Sequence, residues 1–136
     1  MATLSFTTVD DYSVLVHSTA DPTDEDWARY IDHCRSGFAK YKGFMVYTLG
    51  GGPNAKQRSV LHKLTQEFPQ RPPVAVLNRS AIVRGIVTAL NWFVGGYIRC
   101  FALHDYDGAF AYLHAARELR PKIRAAVEHL RKEVAT

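Results

Sequence analysis

The sharpest local feature of this sequence is Gly50-Gly51-Gly52-Pro53-Asn54, a glycine run that leads straight into residues of helical spacing. Successive glycines let backbone N–H groups turn toward one point, and the helix start that follows adds positive potential, so such a loop can hold an anion. Lys56 and Arg58 stand in the first turn of that helix, where cations oppose the helix dipole by ~0.3–1 kcal/mol each at exposed sites. A bound negative group would reverse that penalty. The structural alternative is a tight turn whose two basic side chains extend into water. The loop has neither the Gly-x-x-x-x-Gly-Lys-Ser/Thr spacing nor the full dinucleotide-binding glycine pattern, so no nucleotide class follows from it.

A second junction of the same kind holds Arg79, Ser80 and Arg84. In a parallel sheet the carboxyl ends of the strands share one edge, so the two loops are expected to be neighbours. Gly51, Gly52, Asn54, Lys56, Arg58, Arg79, Ser80 and Arg84 are therefore candidates for one anion- or partner-binding edge. Separate, solvated arginines are the alternative. His104, Asp105 and Asp107 follow an apolar stretch where acid–base groups can reach a cleft, yet Asp105 reads better as a helix cap. The six histidines, His17, His33, His62, His104, His114 and His129, are dispersed without metal-ligand spacing. No nucleophile, base and orienting group are linked by motif, so no catalytic residue, metal or cofactor is expected.

These residues must be positioned by elements that the apolar pattern makes legible. Leu4 and Phe6 alternate with polar residues before Asp10-Asp11, and Val14 and Val16 resume after it, which reads as a hairpin. Thr23 can cap a helix whose first turn carries Asp24, Glu25 and Asp26 and whose apolar face is Trp27, Tyr30, Ile31, Cys34 and Phe38. Phe44 to Leu49 is a nearly continuous apolar run, as in a strand covered on both faces. Val60, Leu61, Leu64 and Phe68 then mark a second helix closed by Pro69.

The alternation repeats. Val74 to Leu77 is a short buried strand, and Ser80 is a candidate cap for a third helix lined by Val83, Ile86, Val87, Leu90 and Phe93 and stopped by Gly95-Gly96. Tyr97 to Leu103 is a fifth strand, and Asp105 starts a helix with Ala109, Phe110, Leu113 and Ala116 facing inward. The expected fold is α/β: a mainly parallel five-stranded sheet with an N-terminal hairpin, covered by helices, plus a C-terminal helix. Phe44 to Leu49, Val74 to Leu77 and Tyr97 to Leu103 are expected side by side in its interior.

The chain of 136 residues suits one core, and its 47% hydrophobic and 22% charged residues exclude a disordered chain. Cys34 and Cys100 sit far apart in apolar patterns and read as reduced, buried thiols. No secretory leader and no apolar stretch of about 18 residues is visible, so a soluble, cytoplasmic protein without a transmembrane segment is expected. The net charge of +4 can favour an acidic partner, but no basic block or RNA-binding aromatic motif points to specific nucleic-acid binding.

Pro73-Val74-Ala75-Val76-Leu77, then Ile98-Arg99-Cys100-Phe101 and Ala109-Phe110-Ala111-Tyr112-Leu113, resemble the STAS/SpoIIAA-like family. That family carries an Ile-Arg-x-Phe strand, an acidic helix start and an Ala-x-x-Trp-Leu helix, with tryptophan replaced here by Tyr112. The resemblance runs from about residue 3 to 116, and its motifs are core-forming. It implies a regulatory domain that binds other proteins, as anti-sigma-factor antagonists do in bacterial signalling, or one that holds nucleotides or lipids, without an active site. The antagonists carry a phosphorylatable serine or threonine at the loop-to-helix junction. Here Gly52-Pro53-Asn54 stands in that place, and asparagine cannot accept a phosphoryl group.

Pro121 opens a terminal helix with the stripe Ile123, Val127, Leu130 and Val134, read as an extension (121–136) of a domain spanning 1–120. The stripe can pack on its own domain or serve as an interface with another subunit or partner. The expected function is a non-catalytic protein-interaction or regulatory module whose partner is another protein or a second copy of this chain in a homo-oligomer. The alternative is a carrier or sensor of a lipid-like or nucleotide-like small ligand.

Overall fold

The alternation of Leu4 and Phe6 with serine and threonine does form strand β1 (Leu4–Val9), paired antiparallel with β2 (Tyr12–His17) through a turn at Asp10-Asp11. Asp10 takes φ 51°, a left-handed conformation that aspartate tolerates better than most residues. The remaining elements are α1 (Asp24–Gly37), β3 (Gly43–Thr48), α2 (Ala55–Gln66), β4 (Val74–Asn78), β5 (Ile98–Ala102), α3 (Tyr106–Leu113) and α4 (Arg120–Arg131). The computed structural model describes residues 1–68, 71–80 and 97–134. The expected third helix with Val83, Ile86, Val87, Leu90 and Phe93, its Gly95-Gly96 stop, Arg84 and Pro69 lie outside the described residues.

The strands form one sheet in the order β1-β2-β3-β4-β5, with β2, β3, β4 and β5 running parallel to one another and β1 antiparallel to β2. Tyr12, Val14, Val16, Met45, Tyr47, Ala75 and Leu77 point to the face covered by α3 and α4. Leu4, Leu15 and Phe44 point to the opposite face, against Trp27, Tyr30, Ile31, Cys34 and Phe38 and against Leu64 of α2. Burial on both faces explains the unbroken apolar runs of the central strands. β5 ends the sheet, not its interior, and Arg99 on it is exposed.

Three helical expectations need correction. On α2 the buried residues are Gln57, Leu64 and Thr65, whereas Val60 is 43% exposed. Hydrogen bonds made by Gln57 set the rotation of this helix, so the inward positions run 57, 61, 64, 65 and 68, and 60 falls off that face. α3 stops at Leu113 because His114 turns left-handed at φ 54°, and this buries Ala115 and exposes Ala116. Ile123, Val127, Leu130 and Val134 form no exposed interface: they are 0%, 0%, 3% and 0% exposed, packed in the core against the sheet. Each such side chain contributes roughly 1.5–3 kcal/mol by leaving water, so α4 belongs to the core and is no appended extension. Pro121 sits in its first turn, where a missing N–H leaves no helical bond unmade.

Candidate functional site

The glycine loop is built differently from an anion cradle. Gly50 donates its N–H to Thr48 Oγ1 (3.1 Å), Gly51 to the Ser18 carbonyl (2.8 Å) and Asn54 to Gln57 Oε1 (3.0 Å). These amides are satisfied within the chain and converge on no common point. A β-carbon on Gly51 would stand 2.0 Å from the Ala20 carbonyl oxygen, so glycine there allows two loops to touch. Gly52 has open space around it. Asn54 and Gln57 form a reciprocal capping box, which satisfies the helix start with side chains of this chain. Arg58 folds back onto the Pro53 carbonyl at 2.9 Å, and Lys56 is exposed.

The two junctions are nonetheless neighbours, as the parallel topology requires. Arg79 donates to the Leu49 carbonyl at 3.2 Å, and the Ser80 N–H donates to Asn78 Oδ1 at 2.7 Å, which shapes the turn after β4. A cleft of about 420 Å³ opens at this carboxyl edge, lined by Thr19, Leu49, Arg79, Glu128, Arg131 and Lys132. Its basic character therefore comes from Arg79 together with the end of α4. Arg131 and Lys132 stand where the helix carbonyls present partial negative charge, which favours cations. Among the described residues Glu128 is the one carboxylate of the lining, and it meets Arg131 Nη1 at 3.1 Å and 3.2 Å.

Beneath Arg131 lie two tyrosines. Its guanidinium covers the Tyr47 ring at 5.1 Å, and Arg124 covers the Tyr106 ring at 4.6 Å. The two rings stack with centroids 6.5 Å apart. Their hydroxyls are buried and find no hydrogen-bond partner among the described residues. Burial raises the pKa of both phenols, that of Tyr106 to about 12, with Glu128 pushing in the same direction and Arg131 against it. Both therefore stay protonated and act as donors.

Elsewhere, Ser13 and His33 lie within hydrogen-bonding distance (2.9 Å), and Tyr41 is 3.4 Å from the same ring nitrogen. Ser13 is only 1% exposed. Asp105 caps α3 by accepting from the Gly108 N–H at 3.0 Å. Burial pushes the Cys34 thiol up to about 12, which keeps it an inert core group, while Cys100 is half-buried. Tyr112, the replacement for tryptophan, ties α3 to the start of β5 through a 2.7 Å bond to the Tyr97 carbonyl. Among the described residues no helix is long and apolar enough to cross a membrane.

Arg79 was legible in the sequence as part of this place, whereas Glu128, Arg131, Lys132, Tyr47 and Tyr106 were not. The signal present in the sequence is that Lys122, Arg124, Arg131 and Lys132 flank the terminal stripe. Nothing in the spacing said which loop α4 would end beside.

No protein-family model matches the chain, and no curated protein matches it in sequence. A solved structure does: an uncharacterized protein from the DUF3478 family with a SpoIIAA-like fold, from Shewanella loihica PV-4. The two align with TM-score 0.60 and 17% identity, over 83% of this chain and 95% of that one. The shared architecture is the SpoIIAA-like α/β fold.

Proposed function

We propose that this SpoIIAA-like domain is a non-catalytic, STAS-type interaction module whose carboxyl edge receives an acidic segment of a regulatory protein partner. The observation that carries this reading is the convergence of Arg79, from the turn after β4, with Arg131 and Lys132, from the end of α4, on one cleft. A surplus of cations over the single carboxylate gives that cleft the potential to attract and orient negative charge. The overall charge of +4 acts in the same sense. The buried Ser13 and the capping role of Asp105 favour binding over catalysis. Cys34 and Cys100 are not joined in a disulfide, which suits a reducing compartment.

The test is affinity capture from native lysate, followed by reconstitution with the purified partner, comparing wild type with an Arg79→Glu, Lys132→Glu double variant. Both residues are exposed, so the fold is expected to survive. Loss of the reconstituted complex in the variant is expected. A partner held equally well by both proteins, or a complex formed only between copies of this chain, refutes the reading.

A further inference from the structure

Two buried phenol groups without an acceptor among the described residues are unusual, because an unmade bond at a buried donor is strongly unfavourable. Tyr47 is 1% and Tyr106 4% exposed, both belong to the core on the α3 and α4 side of the sheet, and their rings stack with centroids 6.5 Å apart. What this place lacks, among the described residues, is an acceptor. Among the described residues the charged side chains around it are Arg79, Arg124, Arg131 and Glu128, three cations to one carboxylate. Glu128 already binds Arg131. Arg131 is at once the roof over Tyr47 and a wall of the open cleft, and its side chain is 37% exposed, so it has room to swing outward.

We propose that Tyr47 and Tyr106 are the inner donors of a phosphate-binding subsite, reached when Arg131 leaves the Tyr47 ring, with Arg79 and Arg131 as its outer cations. This deepens and rests on the reading of the cleft as a docking place for an acidic segment: the acidic group is the phosphate of a phosphorylated side chain. A tetrahedral dianion has enough terminal oxygens to accept from two phenols and from guanidinium groups together. Glu128 is released from Arg131 as the phosphate takes its place, which makes entry selective for a charge stronger than a carboxylate.

The experiment uses the full chain and calorimetric titration with inorganic phosphate, with a phosphoserine peptide and with its unphosphorylated form, all at matched ionic strength. The variants are Tyr47→Phe and Tyr106→Phe, which delete one oxygen each, and Arg79→Gln at the exposed rim. The phosphoserine peptide is expected to bind wild type more tightly than inorganic phosphate does. Each phenylalanine variant is expected to weaken it about tenfold, and Arg79→Gln by a similar factor. The ligand-free phenylalanine variants should melt no lower than wild type, since each loses an unsatisfied buried hydroxyl, and this separates lost binding from lost folding. Absence of saturable binding to wild type, binding unchanged in both phenylalanine variants, or inorganic phosphate binding as tightly as the peptide overturns the proposal. A partner complex that needs Arg79 and Lys132 but ignores both tyrosine hydroxyls sinks the phosphate subsite alone. Phosphopeptide binding that depends on the tyrosines, with no partner complex sensitive to the edge, sinks the docking reading instead.

Discussion

His17, the last residue of β2, makes acid sensitivity of this fold a quantitative expectation. It is 4% exposed, its Nδ1 has no hydrogen-bond partner among the described residues, and burial alone lowers its pKa to about 4. In the unfolded chain the same imidazole titrates near 6.5. Because the folded value is the lower one, the unfolded chain binds the proton first as pH falls. The stability linked to His17 is therefore whole above about pH 6.5 and is lost as pH drops through about pH 4. The pKa difference converts to roughly 3 kcal/mol in full, of which about 2 kcal/mol disappears between about pH 7.5 and about pH 5. That is a large share of the stability of a domain this size.

The perturbation is His17→Leu, which keeps an apolar side chain at the buried site and removes the titration. Urea unfolding followed by circular dichroism, at a series of pH values, gives the stability of both proteins. Other groups, including His33, whose pKa burial also lowers, contribute to both curves and cancel in the difference. Wild type should lose about 2 kcal/mol more than the variant between about pH 7.5 and about pH 5, whatever their gap at neutral pH. Parallel curves would refute the reasoning, because they would mean that His17 takes up its proton within the fold.

Further outcomes are expected from the same geometry. Ile123→Ala or Val127→Ala should cost about 2–5 and 1–3 kcal/mol respectively, and deletion of 120–134 should abolish the cooperative unfolding transition, since these side chains are 0% exposed. A deletion that leaves a cooperative monomer would return the stripe to the role of an interface. Gly51→Ala should destabilise strongly, because its new β-carbon meets the Ala20 carbonyl oxygen at 2.0 Å, whereas Gly52→Ala meets open space and should be nearly neutral; thermal melts of the pair check this. Gln57→Ala removes a donor to the Pro22 carbonyl at 2.8 Å and the acceptor of the Asn54 N–H at 3.0 Å, so chemical denaturation should show a loss of about 1–3 kcal/mol.

Local chemistry made much of this fold readable. Thr23 before three carboxylates, the apolar spacing of Trp27, Tyr30, Ile31 and Cys34, and Asp105 ahead of Gly108 each act within a few residues, so the caps of α1 and α3 and the face of α1 followed from the chain alone. Doubly covered strands announced themselves as apolar runs, and strand–helix alternation implied parallel pairing. The rotation of α2 did not follow, because Gln57 looks polar in sequence and is buried only through bonds to Pro22 and Asp24, more than thirty positions away. A glycine run is equally consistent with an anion cradle and with two loops in contact, and only the position of Ala20 decides between them.

The functional edge divides the same way. Arg79 could be placed from sequence because parallel strands present their carboxyl ends together, a consequence of topology. Tyr47 sits inside an apolar run and carries no sign that its hydroxyl will lack a partner. Arg131 and Lys132 read as the flank of an amphipathic helix whose stripe could face either way. Burying that stripe against the sheet decided both questions at once: it made α4 part of the core, and it brought Glu128, Arg131 and Lys132 over Tyr47 and beside Arg79. Amphipathic period tells a helix which side must leave water. Which surface receives it depends on packing between segments distant in the chain, and here that packing assembles the site.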